Sequence, residues 1–218
     1  MNSLGDKPVA ATDDGTGRGR RDRILEVVSR VLTEEKRNAT EIQAVVEDSD
    51  LPLEEAMAEF PDLDDLIVAI AARQAARVSE PLRSATQSGA FDDVRSDLIE
   101  FGTRLRAAYS SVFIGLLRVA MAEESLHREL HGRLYGAGPA AVTAALRDYL
   151  DAAARKDTLT FANSAYAAES LMGMLREPLY GELTVHSQEF TSYGSAEEAV
   201  EQAVDRFLGG CSTREAAA

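Results

Sequence analysis

Apolar side chains recur at helical spacing over most of the chain. Ile24, Val27, Val28, Val31 and Leu32 stand at i, i+3, i+4, i+7 and i+8, one face of a first helix. Thr40 is placed to cap a second, with Ile42, Val45 and Val46 turned inward. Asp50 takes the turn that follows, because a short polar side chain tolerates left-handed backbone better than most. Leu51 then plugs the core. Pro52 suits the first turn of a third helix running to Phe60, from which Met57 and Phe60 pack back onto the first two. A fourth helix runs from about Asp62 through Val78 with Leu66, Ile67, Ile70 and Ala71 inside. The helix dipole favours its early carboxylates, and Pro81 stops or kinks it.

Gln87-Ser88-Gly89-Ala90 is a break, and a second body starts at Phe91. Asp92 or Asp93 begins a helix lined by Val94, Leu98, Phe101 and Leu105. The segment from Val112 to Ala122 is apolar all round, which places it in the middle of the body. Gly138-Pro139 opens a helix that buries Val142, Leu146, Tyr149 and Leu150. Asn163 or Ser164 begins another, with Ala168, Leu171, Met172 and Leu175 inside, and Pro178 disturbs it. Tyr180 to Gly194 has no period and is expected to be a loop. Ser195-Ala196-Glu197-Glu198 is a capping-box pattern, followed by Val200, Ala203, Val204, Phe207 and Leu208 and closed by Gly209-Gly210. With no strand signal and no repeat period, the chain is expected to be all-α.

Composition narrows the class. A chain of 218 residues, 45% apolar and 28% charged, suits a soluble globular protein of one or two domains. A net charge of -14 argues against general affinity for nucleic acid or anionic membrane. The longest apolar runs, Leu66 to Ala72 and Val112 to Leu117, fall far short of the roughly 18 residues of a membrane span. The first residues carry no basic region followed by an apolar core, so no signal peptide is expected. The single cysteine, Cys211, cannot form an internal disulfide and fits a cytoplasmic protein. Residues 1–19, rich in Gly, Asp, Thr and Ala, are expected to form a disordered arm.

Charge is unevenly spread. Between Asn38 and Ala72 stand ten acidic residues (Glu41, Glu47, Asp48, Asp50, Glu54, Glu55, Glu59, Asp62, Asp64 and Asp65) and no Lys or Arg. The dense basic cluster lies before them, at Arg18, Arg20, Arg21 and Arg23.

Three segments carry a family resemblance. Arg23-Ile24-Leu25-Glu26-Val27-Val28, Ala39-Thr40-Glu41-Ile42 and Phe60-Pro61-Asp62-Leu63-Asp64-Asp65-Leu66 resemble, at ungapped spacing, the N-terminal module of the TetR family of homodimeric, ligand-responsive repressors. Leu134-Tyr135 through Gly138-Pro139 looks like the family's C-terminal domain. The resemblance implies a helix-turn-helix module over 20–61, a ligand-binding and dimerisation body over 62–210, and a tail over 211–218. It also implies a homodimer formed through the last two helices.

The departures from the family pattern fall on the DNA-reading positions. Where the family has Lys and Gly before its reading helix, this chain has Leu53 and Glu54; where it has Thr, Tyr and His, this chain has Glu55, Met57 and Glu59. The phosphate-binding Lys of the next helix is Leu63, and Thr40 alone is retained. A DNA-reading module makes roughly 6 to 10 phosphate contacts through cations, whereas a carboxylate in the major groove gains only from a cytosine amino group. Ordinary operator binding by this segment is therefore not expected. Arg18, Arg20, Arg21 and Thr40 are what is left to touch DNA, and the arm is either such a contact or a solvated tail.

Candidate chemistry in the body is sparse. Glu123, His127 and His131, four residues apart, would share one helix face, but the only other histidine is the distant His186. A solvated face is the simpler reading, and no metal is assigned. The same groups could act as acid and base at a pocket mouth. No nucleophile elbow, phosphate-binding glycine loop or cofactor fingerprint occurs, so no cofactor is expected. Helical bodies of this kind hold small hydrophobic ligands between helices. The candidate lining is Phe101, Leu105, Phe113, Leu117, Met121, Met172 and Leu175, with Arg104 and Tyr109 as polar handles; ordinary core is the alternative for each. Three functions stand: a ligand-responsive regulator acting without ordinary DNA contacts, through a protein partner at its acidic face; a conventional repressor using its basic arm; or an enzyme or carrier that kept only the pocket.

Overall fold

A computed structural model describes residues 14–33, 46, 49, 51–113, 115–116, 128–185 and 195–211. All elements among them are helical. The first, α1 (Asp14–Thr33), buries Ile24, Val28, Val31 and Leu32 of the stripe its periodicity predicts, with Leu25 buried beside them and Val27, expected in the stripe, only half-buried. It starts inside the segment expected to be arm. The reason is chemical: Asp14 suits a helix N-terminus and the arginines are good helix formers, which together outweigh Gly15, Gly17 and Gly19.

Val46 is buried, while Thr40, Ile42, Val45 and Asp50 lie outside the described residues. Leu51 is buried before the short α2 (Leu53–Glu59), whose N-cap is Pro52. Ala56 and Phe60, four residues apart, take the inward side of this helix. Met57, expected in the core, is thereby turned outward and is 39% exposed.

Next comes α3 (Leu63–Val78), capped by Asp62, whose carboxylate accepts a 2.7 Å bond from the Asp65 N–H. It buries Leu66, Ile67, Ile70, Ala71, Ala75 and Val78 and packs on α1 as well as on helices of the body. On its outer side Arg73 and Arg77 reach Glu26 of α1 at 2.7 and 2.9 Å. The Arg77 hydrogen bond, with both cations nearby, holds the Glu26 carboxyl below its ordinary value. The helix stops at Val78, one of the two outcomes expected of Pro81. Pro81 itself sits in the first turn of a separate one, α4 (Glu80–Ser88), which ends at Gly89 in the left-handed conformation, φ 69°.

The body is built from α5 (Val94–Ala108), a π turn (Tyr109–Phe113), α6 (Arg128–Tyr135), a second π turn (Gly136–Ala140), α7 (Ala141–Arg155), α8 (Ser164–Val185) and α9 (Ala196–Gly210). Asp93, Asn163 and Ser195 cap α5, α8 and α9, the last with a complete capping box. Val112, Phe113 and Leu116 of the all-apolar segment are buried.

Two expectations here are overturned. Gly138-Pro139 does not open a helix: α6, the π turn and α7 run on from Arg128 to Arg155, with Pro139 inside the π turn, the wider form in which a helix accommodates a local break in its bonding. Nor does a loop begin at Tyr180: α8 continues through Pro178 to Val185, and residues 186–194 of the expected loop lie outside the described residues. Burial of Leu171, Met172 and Leu175 just before the proline fixes the helix axis against its local cost. Cys211, expected to begin the tail, caps α9 and is buried, which pushes its thiol up from the ordinary value.

Candidate functional site

The outer side of the module is the first candidate. On α2 the Glu54, Met57 and Ala58 side chains are exposed and Glu55 and Glu59 half-buried, with Pro61 and Asp62 exposed beyond them. Carboxylates therefore crowd the face that a reading helix would offer to DNA. Two arginines of the basic cluster meet this face at its edge. Arg21 donates through Nη1 to the Glu59 carbonyl at 2.9 Å, and its guanidinium lies 4.1 Å over the centre of the Phe60 ring. Arg20 stands 3.7 Å from the Glu59 carboxylate. Of Arg18 only the backbone is described, and Thr40 lies outside the described residues. On the body side Arg133 of α6 is paired with Asp65 in the first turn of α3, and the neighbouring Asp62 and Asp64 further raise its affinity for its proton.

The second candidate is the interior of the body. Phe101 and Leu105 from α5, Phe113 from the π turn, and Met172 and Leu175 from α8 are all buried, on elements that pack together. Tyr109 is half-buried and meets Phe113 edge to face, with ring centres 5.2 Å apart. Leu117 and Met121 lie outside the described residues. Arg104 is not among the buried groups. It sits at the surface, donating to the Arg77 carbonyl at 3.0 Å, to Glu80 at 2.9 Å and to Glu100 at 2.6 Å. Its charge is thus committed to the joint between α3, α4 and α5.

Sequence reasoning missed two polar features. Ser79, at the α3–α4 joint, is completely buried and its hydroxyl has no hydrogen-bond partner. A groove of about 400 Å³ between α4 and α5 is lined by Glu80, Pro81, Ser84, Asp92, Asp93, Asp97 and Glu100 among others. Within it Asp97 accepts a 2.7 Å bond from the hydroxyl of the buried Tyr149. Desolvation raises the Asp97 pKa, the tyrosine bond opposes the rise, and the Asp93 and Glu100 charges add to it. Burial, and then the bond to Asp97, push the Tyr149 phenol above its ordinary value. The Asp93, Asp97 and Glu100 spacing of one helix face was the available sequence signal.

Glu123 and His127 lie outside the described residues, and His131 is exposed on α6. Among the described residues no group of three or more His, Cys, Asp or Glu side chains could hold a metal ion, and no helix is long and apolar enough to cross a membrane.

Residues 96–210, just over half of the chain, match the C-terminal domain of AefR-like transcriptional repressors. No curated protein matches the sequence. Among solved structures, the fold is similar to a protein from Mesorhizobium loti assigned to the TetR family of transcriptional regulators, with TM-score 0.67 and 16% identity, over 90% of this chain and 98% of that one. It is similar to the flavonoid-responsive regulator FrrA, with TM-score 0.58 and 19% identity, over 90% and 99% of the two chains. The fatty acid degradation regulator FadR from Bacillus halodurans aligns with TM-score 0.60 and 13% identity, over 95% and 100%. At these identities the likeness is one of fold.

Proposed function

The chain belongs to the TetR family of transcriptional regulators, and from that premise we propose that it is a homodimeric, small-molecule-responsive regulator whose direct operator binding is weakened or lost. One observation carries the second half of this reading. The reading helix α2 and the turn after it present Glu54, Glu55, Glu59 and Asp62 and no cation. Phosphate neutralisation supplies most non-specific and much specific DNA affinity, and this face offers the opposite charge. It is left to a protein partner of basic character.

The ligand half rests on the body. Two structural relatives are a flavonoid-responsive regulator and a regulator of fatty acid degradation. The buried Phe101, Leu105, Phe113, Met172 and Leu175 suit a ligand of that largely apolar kind. With Arg104 committed to Glu80 and Glu100, Tyr109 is the polar handle of this set.

A conventional repressor is the second reading, favoured by the position of Arg20 and Arg21 at the edge of the same face. Fluorescence anisotropy separates the two. With random duplex and with the region upstream of its own gene, at low and physiological salt, the proposed reading expects dissociation constants weaker than about 10 μM throughout. Micromolar or tighter binding that weakens steeply with salt restores the conventional repressor.

A further inference from the structure

Arg20 and Arg21 face a choice between DNA and their own reading helix. The carbonyl of Glu59 closes α2, where helix carbonyls lack partners, and Arg21 supplies its donor. The same guanidinium covers the ring of Phe60, a residue only 1% exposed and held in place by its own N–H bond to the Ala56 carbonyl at 3.0 Å. Arg20 adds charge compensation at the Glu59 carboxylate. Where the resembling family has a histidine, this chain has Glu59, and that exchange creates the counter-charge.

We propose that the start of α1 is an autoinhibitory strap: Arg20 and Arg21 are held on the end of the reading helix by Glu59 and Phe60, and are thereby withheld from DNA phosphate. A phosphate contact requires both arginines to leave, which exposes the Phe60 ring and returns an unpaired carboxylate to the DNA-facing side. The strap rests on the weakened operator binding proposed above and accounts for why Arg20 and Arg21 do not rescue it. Each contact is near the surface, so the hold is modest and releasable.

The test uses the full chain and a fluorescent random-sequence duplex at about 50 mM and about 200 mM salt, bracketing the range in which phosphate contacts are lost. Four variants are compared with the wild type: E59Q, R21K, R20A/R21A and E59Q/R20A/R21A. E59Q frees Arg20, and R21K keeps a cation while losing the planar guanidinium that stacks and donates. Each single variant is expected to bind roughly three- to tenfold more tightly than wild type at the lower salt. The E59Q gain is expected to vanish in the R20A/R21A background. The strap is overturned if E59Q and R21K bind as the wild type does. It is also overturned if the E59Q gain persists without the arginines, since that gain is then relief of repulsion alone. Tight binding by the wild type itself would instead remove the operator reading on which the strap rests. The strap is judged from the ratios between variants, so the two failures are separable.

Discussion

Asp97 keeps a carboxylate where its surroundings disfavour one. Burial raises its pKa, and Asp93 and Glu100 push in the same direction against the single favourable bond from Tyr149. A carboxyl whose folded pKa lies above its unfolded value stabilises the fold fully below the unfolded pKa, and that contribution is lost as pH rises through the folded one. At neutral pH the ionised Asp97 is therefore a net cost. D97N removes the charge and keeps an oxygen to accept from Tyr149. It is expected to raise Tm at pH 7, with the difference from wild type closing as pH falls through the acidic range and the wild-type carboxyl takes up its proton. A lower Tm for D97N at pH 7 would show that the charge, not the oxygen, is what Tyr149 needs. Periodicity alone marks Tyr149 as core, but its partner lies 52 residues away, and nothing in a local pattern joins the two. The same holds for Arg104, whose place on α5 is legible while its commitment to Glu80 across the joint is not.

Helix faces follow from the spacing of apolar residues, and the stripes of α1, α3, α5 and α9 were legible for that reason. Continuity is harder to see. Proline and glycine state a local cost, whereas whether a helix survives that cost depends on burial elsewhere, as α8 does at Pro178 and the α6–α7 run does at Pro139. Glycine shows the same dependence on context. A Cβ on Gly115 would stand 2.6 Å from the Leu32 carbonyl oxygen and 3.1 Å from its Cβ, so α1 approaches the body there through backbone. A Cβ on Gly132, inside α6, would meet nothing within 4 Å. The two replacements should therefore move stability in opposite directions. G115A is expected to cost about 1–3 kcal/mol, because a carbonyl cannot swing aside as a side-chain end can. G132A is expected to gain up to about 1 kcal/mol from helix propensity. Urea unfolding of the three proteins checks both signs, and a neutral G115A would mean that α1 is free to move away from the body.

The molecule's acidity and its outward apolar groups bear on how it assembles. On α8, Tyr166 is 73% exposed and Met174 39%, with Glu169, Ser170 and an unobstructed Gly173 on the same stripe, opposite the buried Ala167, Ala168, Leu171, Met172 and Leu175. A stripe of this kind on one helix suits a two-fold contact with a second copy, in which each Tyr166 and Met174 leaves water. Y166E/M174E is therefore expected to convert a dimer into a monomer at micromolar concentration by light scattering. Y135E, which changes a tyrosine 64% exposed on α6, should leave the dimer intact. A dimer of chains that each carry -14 brings like charges together, and salt screens that repulsion, over a length of about 8 Å at physiological ionic strength. Self-association should accordingly tighten as salt rises, the reverse of any phosphate contact, whose affinity falls with salt. Dimerisation that weakens with salt would put ion pairs, not Tyr166 and Met174, at the interface.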